Sequence, residues 1–239
     1  MRIFAAIGIA LMLSSCAGGG ARLNDRERYD RVIGKPVANP SAIVKAELSF
    51  ARLAQEKGQW TAFRETAADE AIMFTPELVN AQQWLKGKAD PSQAVSWQPH
   101  KIYMSCDGSI GVSIGAWQSA NGTTGHFTTI WHQDDFGSRR PGKDVNWKWI
   151  FDDGVPLTTP LAEPDYVETE VASCKTKLSE TVSPTGLTEK GKSGTSADRS
   201  LVWNAAFAAD GSRIVFVDLA QDDGSFKRVH EYRVDAPTP

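Results

Sequence analysis

Apolar residues follow two regimes along this chain. Asn39-Pro40 supply a helix N-cap and a proline at the first helical position, and Ile43, Ala46, Phe50 and Leu53 then recur at helical spacing. Lys45, Glu47, Arg52 and Glu56 fall mostly between them, and Gly58 stops the run. WTAFRETAA continues as a shorter helix with Trp60 and Phe63 as its apolar positions, and EAIMFT reads as a short strand. Thr75-Pro76 opens a third helical run, PELVNAQQWLKG, ending near Gly87.

From Trp97 the period changes to two. WQPHKIYMS, SIGVSIGAWQS, TGHFTTIWHQD and NWKWIFDDG are four strand candidates rich in β-branched and aromatic residues. Asn121-Gly122 marks a hairpin between the second and third. Beyond Gly154 the alternation gives way to Pro, Thr, Ser, Gly and charge. Residues 156–199 therefore read as a linker, with one short ordered piece around Val167–Leu178. Three more strands follow near 200–208, 212–219 and 226–234, with turns at Asp210-Gly211 and Asp223-Gly224, so a small three-stranded unit is expected over 200–235. Helices first and an antiparallel meander after predict an α+β layer, a curved sheet folded over helices.

Several landmarks then carry a resemblance: Gly58 after the long helix, Trp60/Phe63, Phe74, Trp84, and strands bearing W-Q-P, D-G-S-I-G, G-A-W, T-I-W and W-K-W-I-F-D-x-G. Over residues 39–155 this order resembles the SnoaL-like branch of the nuclear-transport-factor-2 superfamily, particularly its DUF4440-type members. The resemblance implies a cone, a curved antiparallel sheet wrapping helices around a pocket. It also implies that an enzyme of this kind, a cyclase, isomerase or dehydratase, would use carboxylates or a His/Asp set on the pocket floor. No residue here can be matched to those sets by motif.

The amino terminus carries an address. MRIFAAIGIALMLSSC has Arg2, an apolar run from Ile3 to Leu13, then Leu13-Ser14-Ser15-Cys16. The run is too short to span a bilayer as a helix and matches a secretory signal peptide over residues 1–15. The tetrapeptide resembles the lipobox of bacterial lipoproteins, which implies lipidation of Cys16. Ala17 lacks the aspartate associated with inner-membrane retention, so the resemblance implies an outer-membrane anchor facing the periplasm. Residues 16–38, glycine-rich and then densely charged, read as a tether.

In such an oxidising compartment Cys106 and Cys174 are either a disulfide or two separate buried thiols. A net charge of −3 offers no basic stripe for nucleic acid. GLTEKGKS at 186–193 fits the letters of a phosphate loop, but neither a buried strand precedes it nor a helix follows, so it reads as linker, with no nucleotide expected. No metal-ligand spacing occurs and no cofactor is implied.

Eight tryptophans are the better lead to chemistry. Trp84, Trp97, Trp117 and Trp131 are pocket candidates for a small apolar ligand, since such sites are apolar with a few polar groups. Phe127, Thr129 and Trp131 share one face of their strand. Strict alternation in the next strand puts Trp147, Trp149 and Phe151 on one face, and Lys148 and Asp152 on the other, making these two the polar candidates. As acid–base groups Asp152 and His132 are the candidates; His126 and His132 lie too far apart along a strand to share a site. Three functions follow: a non-catalytic binding module, an enzyme using Asp152 or His132, and an interaction protein whose exposed sheet face forms a homodimer.

Overall fold

The computed structural model describes residues 37–134, 146–175 and 190–236. The signal peptide, Cys16 and the tether up to residue 36 lie outside the described residues.

Three helices occur among the described residues: α1 (Pro40–Lys57), α2 (Gln59–Thr66) and α3 (Ala81–Leu85). The buried stripe of α1 is Ile43, Glu47, Phe50 and Ala54, so the carboxylate of Glu47 lies within the helix's apolar face. Gly58 separates α1 from α2, and a remote side chain caps the second helix. Asp90 accepts hydrogen bonds from Thr61 N (2.9 Å) and Thr61 Oγ1 (2.6 Å), satisfying an amide that the first helical turn leaves free. The third helical run is shorter than its pattern suggests. Thr75-Pro76 is a cis peptide at the turn between strands β1 (Ala67–Phe74) and β2 (Leu78–Asn80), and α3 starts only after Asn80, whose Oδ1 accepts from Gln83 N at 2.9 Å.

The period-two segments form β3 (Ser96–Met104), β4 (Ile110–Gln118), β5 (Thr124–Gln133) and β6 (Trp147–Leu157). With β1, β2 and β7 (Glu168–Val171) they build one seven-stranded sheet in the order β2-β1-β6-β5-β4-β3-β7. A second sheet has four strands, β8 (Lys190–Thr195), β9 (Leu201–Phe207), β10 (Arg213–Ala220) and β11 (Phe226–Val234), in the order β11-β10-β9-β8.

This corrects the expected α+β cone with a three-stranded appendage. Among the described residues strand outweighs helix, 48% against 18%, leaving too little helix to serve as the body a sheet wraps around. The large sheet is mixed, because β1 runs parallel to β6 and β7 parallel to β3. The second sheet gains β8 from a stretch whose composition suggests linker. Composition misleads there because β8 is paired through its backbone. Its glycines permit close approach: a Cβ on Gly194 would lie 2.6 Å from Trp203 Nε1. Gly191, Lys192 and Ser193 are thus part of an antiparallel strand and not of a loop around an anion.

The helices pack on one face of the large sheet and the second sheet on the other. Tyr103 Oη donates to Val229 O (2.8 Å), and Arg213 Nε to Asp153 Oδ2 (3.0 Å); Phe151 and Trp203 stack obliquely with ring centres 6.1 Å apart. Burial on both faces explains why β5 is buried almost continuously where alternation promised a half-exposed strand. Much of the face expected to dimerise is therefore covered by the chain itself.

Two turns tie the sheets together at one end. Ser105-Cys106-Asp107-Gly108-Ser109 joins β3 to β4, and Ser196-Ala197-Asp198-Arg199-Ser200 joins β8 to β9, with the same Ser-x-Asp-x-Ser pattern. In each, the aspartate accepts from both serine hydroxyls. They also grip one another reciprocally: Asp107 N donates to Asp198 Oδ2 (3.0 Å) and Asp198 N to Asp107 Oδ2 (2.8 Å). Beside them Cys106 is disulfide-bonded to Cys174, with Cα atoms 5.3 Å apart.

Candidate functional site

At the opposite end of the large sheet, a cavity of about 240 Å³ opens between the helices and the strands. Its wall is aromatic. Trp60 and Phe63 come from α2, Trp84 from α3, Trp97 from β3, Trp117 from β4 and Phe127 from β5, with Phe50 and Phe74 beside them. The rings hold one another edge to face: Trp60 meets Trp84 at 5.4 Å between centres, and Phe50 meets Phe63 at 4.8 Å. Trp117 is fixed by its indole N–H, which donates to His126 O at 2.9 Å, and by the bare Gly125 beneath it, where a Cβ would fall 2.4 Å from the indole.

Asp152 is the polar centre of this wall. Thr129, its register partner on β5, donates from Oγ1 to Asp152 Oδ2 at 2.7 Å. The other oxygen, Oδ1, has no hydrogen-bond partner among the described residues, and the residue borders the cavity. Asp152 keeps some accessible surface, yet protein atoms crowd it closely, so burial is the main cause raising its pKa to about 8. The bond from Thr129 opposes that rise, while the nearby Glu47 and Asp153 carboxyls add to it. At neutral pH the carboxyl of Asp152 is therefore mostly protonated.

Behind this wall Glu47 is fully buried. Its Oε1 accepts from Trp97 Nε1 (2.7 Å) and its Oε2 from Trp131 Nε1 (3.0 Å), with Ser113 Oγ donating to Oε2 as well. Burial outweighs these three bonds and raises the carboxyl's pKa. Neither Glu47 nor Asp152 has a basic partner among the influences on it. Asp153 differs, since its carboxylate is turned to the other face. There Arg213 grips it through Nε and Nη2, and Tyr232 Oη donates to it at 2.7 Å.

No protein-family model matches the chain, and no curated protein matches it in sequence. The site must therefore be read from its own chemistry.

Of the residues singled out in the sequence, Trp84, Trp97, Trp117 and Asp152 converge on the cavity. Trp131 is buried behind it, holding Glu47. Lys148 and Asp152 do not share a face. A bulge at Ile150 interrupts the pairing of β5 and β6, so that Ile130 faces Phe151 while Trp131 faces Trp149. The extra residue inverts the alternation. Trp149, which bonds Thr66 Oγ1 of α2, and Asp152 point to the helices, and Phe151 points to the second sheet. Lys148 instead reaches Glu65 O at 2.7 Å. His132 does not border the cavity; its Nε2 lies 3.8 Å from Asp134 Oδ1.

Sequence reasoning missed Glu47, Thr129 and Asp90. Glu47 had a signal, since it stands four residues after Ile43 and three before Phe50, inside the apolar stripe. Asp90 had none, because its capping bond spans 29 residues. Among the described residues no group of three or more His, Cys, Asp or Glu side chains is placed to hold a metal.

Proposed function

We propose that this chain is an envelope-anchored binding module that takes a small, largely apolar molecule into the aromatic cavity, with Asp152 as its polar anchor. The observation that carries the reading is one carboxyl oxygen left free in a wall whose apolar surface is mostly indole and phenyl rings. Concave, mostly apolar pockets with few polar groups are the usual form of small-molecule sites. The resemblance of residues 39–155 to SnoaL-like proteins supports it as far as element order and aromatic landmarks go. The lipobox-like Leu13-Ser14-Ser15-Cys16 supports a lipid anchor, and with it a place on the periplasmic side of the outer membrane.

A second reading, an acid–base enzyme, is favoured by the same carboxyl, whose pKa of about 8 suits proton transfer near neutrality. In that reading Asp152 carries the proton and His132, outside the cavity, takes no part. The full-length chain in non-ionic detergent, incubated with lipophilic extracts and examined by native mass spectrometry, tests the binding reading. Retention of a discrete mass that Trp84→Ala and Trp117→Ala abolish supports it. No retained mass under any condition refutes it.

A further inference from the structure

Resting on that reading of the cavity, we propose that its ligand is a small organic cation, a quaternary or tertiary ammonium group held among the indole rings with Asp152 as its counter-ion. The first support is the kind of apolar surface. Met73 and Val95 are the aliphatic side chains longer than alanine in the wall, and the rest of the apolar lining is aromatic. A neutral apolar ligand gains as much from leucine as from tryptophan, whereas a cation is drawn to the negative face of an aromatic ring and most strongly to indole. Trp84 already attracts one, with Lys88 Nζ 3.5 Å from a ring centre.

Charge is the second support. Among the described residues no Lys, Arg or His borders the cavity. Asp153 is balanced by Arg213, but Asp152 has no basic partner among the described residues, so a positive charge at this one place would compensate its carboxylate. The third support is fit. An apolar cavity of roughly 150 Å³ accepts benzene, so about 240 Å³ accommodates a trimethylammonium group with a short substituent.

Occupation is an exchange of cations. The O–H bond of the protonated Asp152 breaks, its proton leaves to solvent, and the ammonium takes its place beside the carboxylate, so the site's net charge is unchanged. An uncharged carbonyl ligand would accept a hydrogen bond from the protonated acid and release nothing. The two chemistries are therefore distinguishable by their proton count.

The test is titration calorimetry of the full-length chain in non-ionic detergent at pH 7. The probes are choline and benzyltrimethylammonium, each set against the neutral isostere in which carbon replaces nitrogen. We expect the cations to bind on the order of tenfold tighter than their isosteres or better, with buffer-dependent heats reporting release of close to one proton per ligand. Asp152→Asn should lower cation affinity on the order of tenfold and leave the isosteres unchanged. Should that variant not fold, the isostere comparison on the unmodified chain decides alone. Glycerophosphocholine binding tighter than choline would identify a lipid headgroup as the source, and weaker binding a free amine; both support the cation. Isosteres binding as tightly as cations overturn the cation while leaving the pocket reading intact. Absence of binding by any probe, together with no retained mass in native mass spectrometry, removes both.

Discussion

Replacing Asp152 by Asn should make the protein more stable, and increasingly so as the pH rises. The wild-type carboxyl has an ordinary value of 3.8 when unfolded and about 8 when folded. Between those values the folded state binds the proton that the unfolded state has released, so stability falls as pH rises. Each pH unit costs about 1.4 kcal/mol, so the full penalty is on the order of 5 kcal/mol, absent below about pH 4 and complete above about pH 8. Asparagine keeps the shape and accepts the bond from Thr129 without titrating. Urea unfolding of both proteins, followed by tryptophan fluorescence at pH 5, 6 and 7, measures the difference directly. The gap between Asp152→Asn and wild type should widen by about 1.4 kcal/mol per pH unit, nearly 3 kcal/mol from pH 5 to 7. Glu47 and the histidines are present in both proteins, so their direct contributions cancel in the comparison. A gap that stays constant across the three pH values would refute the reasoning, for it would mean that Asp152 ionises normally inside the fold.

Three further outcomes are expected. His230, hydrogen-bonded to Thr128 at 3.0 Å, is half-buried between the sheets near His126, and its partial removal from water lowers its pKa to about 4. Its contribution, about 3 kcal/mol, is whole above about pH 6.5 and is lost as pH falls through 4, so His230→Gln should flatten acid unfolding measured by far-ultraviolet circular dichroism. Gly125→Ala puts a Cβ 2.2 Å from Val155 O and 2.4 Å from Trp117, which should cost about 1–3 kcal/mol in thermal or urea unfolding and weaken ligand retention by displacing the indole. Reducing Cys106–Cys174, which are 68 residues apart, should lower stability by about 4 kcal/mol, and thiol titration should find two more reactive groups with reductant than without.

What the chain reveals in advance depends on how local each cause is. The long helix and the strands from Ser96 to Leu157 follow from periodicity, as do the last three strands, because hydrophobic spacing and turn residues act over a few positions. Trp84, Trp97 and Trp117 could be picked as wall residues because large aromatics must be buried somewhere near the sheet. The bulge at Ile150 was not legible. Nothing in NWKWIFDD marks an unpaired residue, and one such residue moves Lys148 to the face opposite Asp152. The fourth strand of the second sheet, β8, hid for a related reason. It has no apolar alternation, and its place is set by backbone pairing to β9 and by the room its glycines leave above Trp203. Glu47 hides behind its chemical type alone: a carboxylate reads as solvent-facing, although its position on the helix belongs to the core.

The reciprocal grip of Asp107 and Asp198, backed by the Cys106–Cys174 bond, has a mechanical consequence. It fastens the two sheets at the end remote from the cavity, as a spring fastens the arms of a peg. Separation of the two sheets has its pivot there, so the greatest travel falls at the opposite end, where Arg213 and Tyr232 of the second sheet meet Asp153 of the first. Amide exchange across the sheet pair should accordingly be slowest around the joined turns and quicken toward the Arg213–Asp153 end. An occupant of the cavity, lodged on the helix side of the large sheet, would leave that gradient as it was.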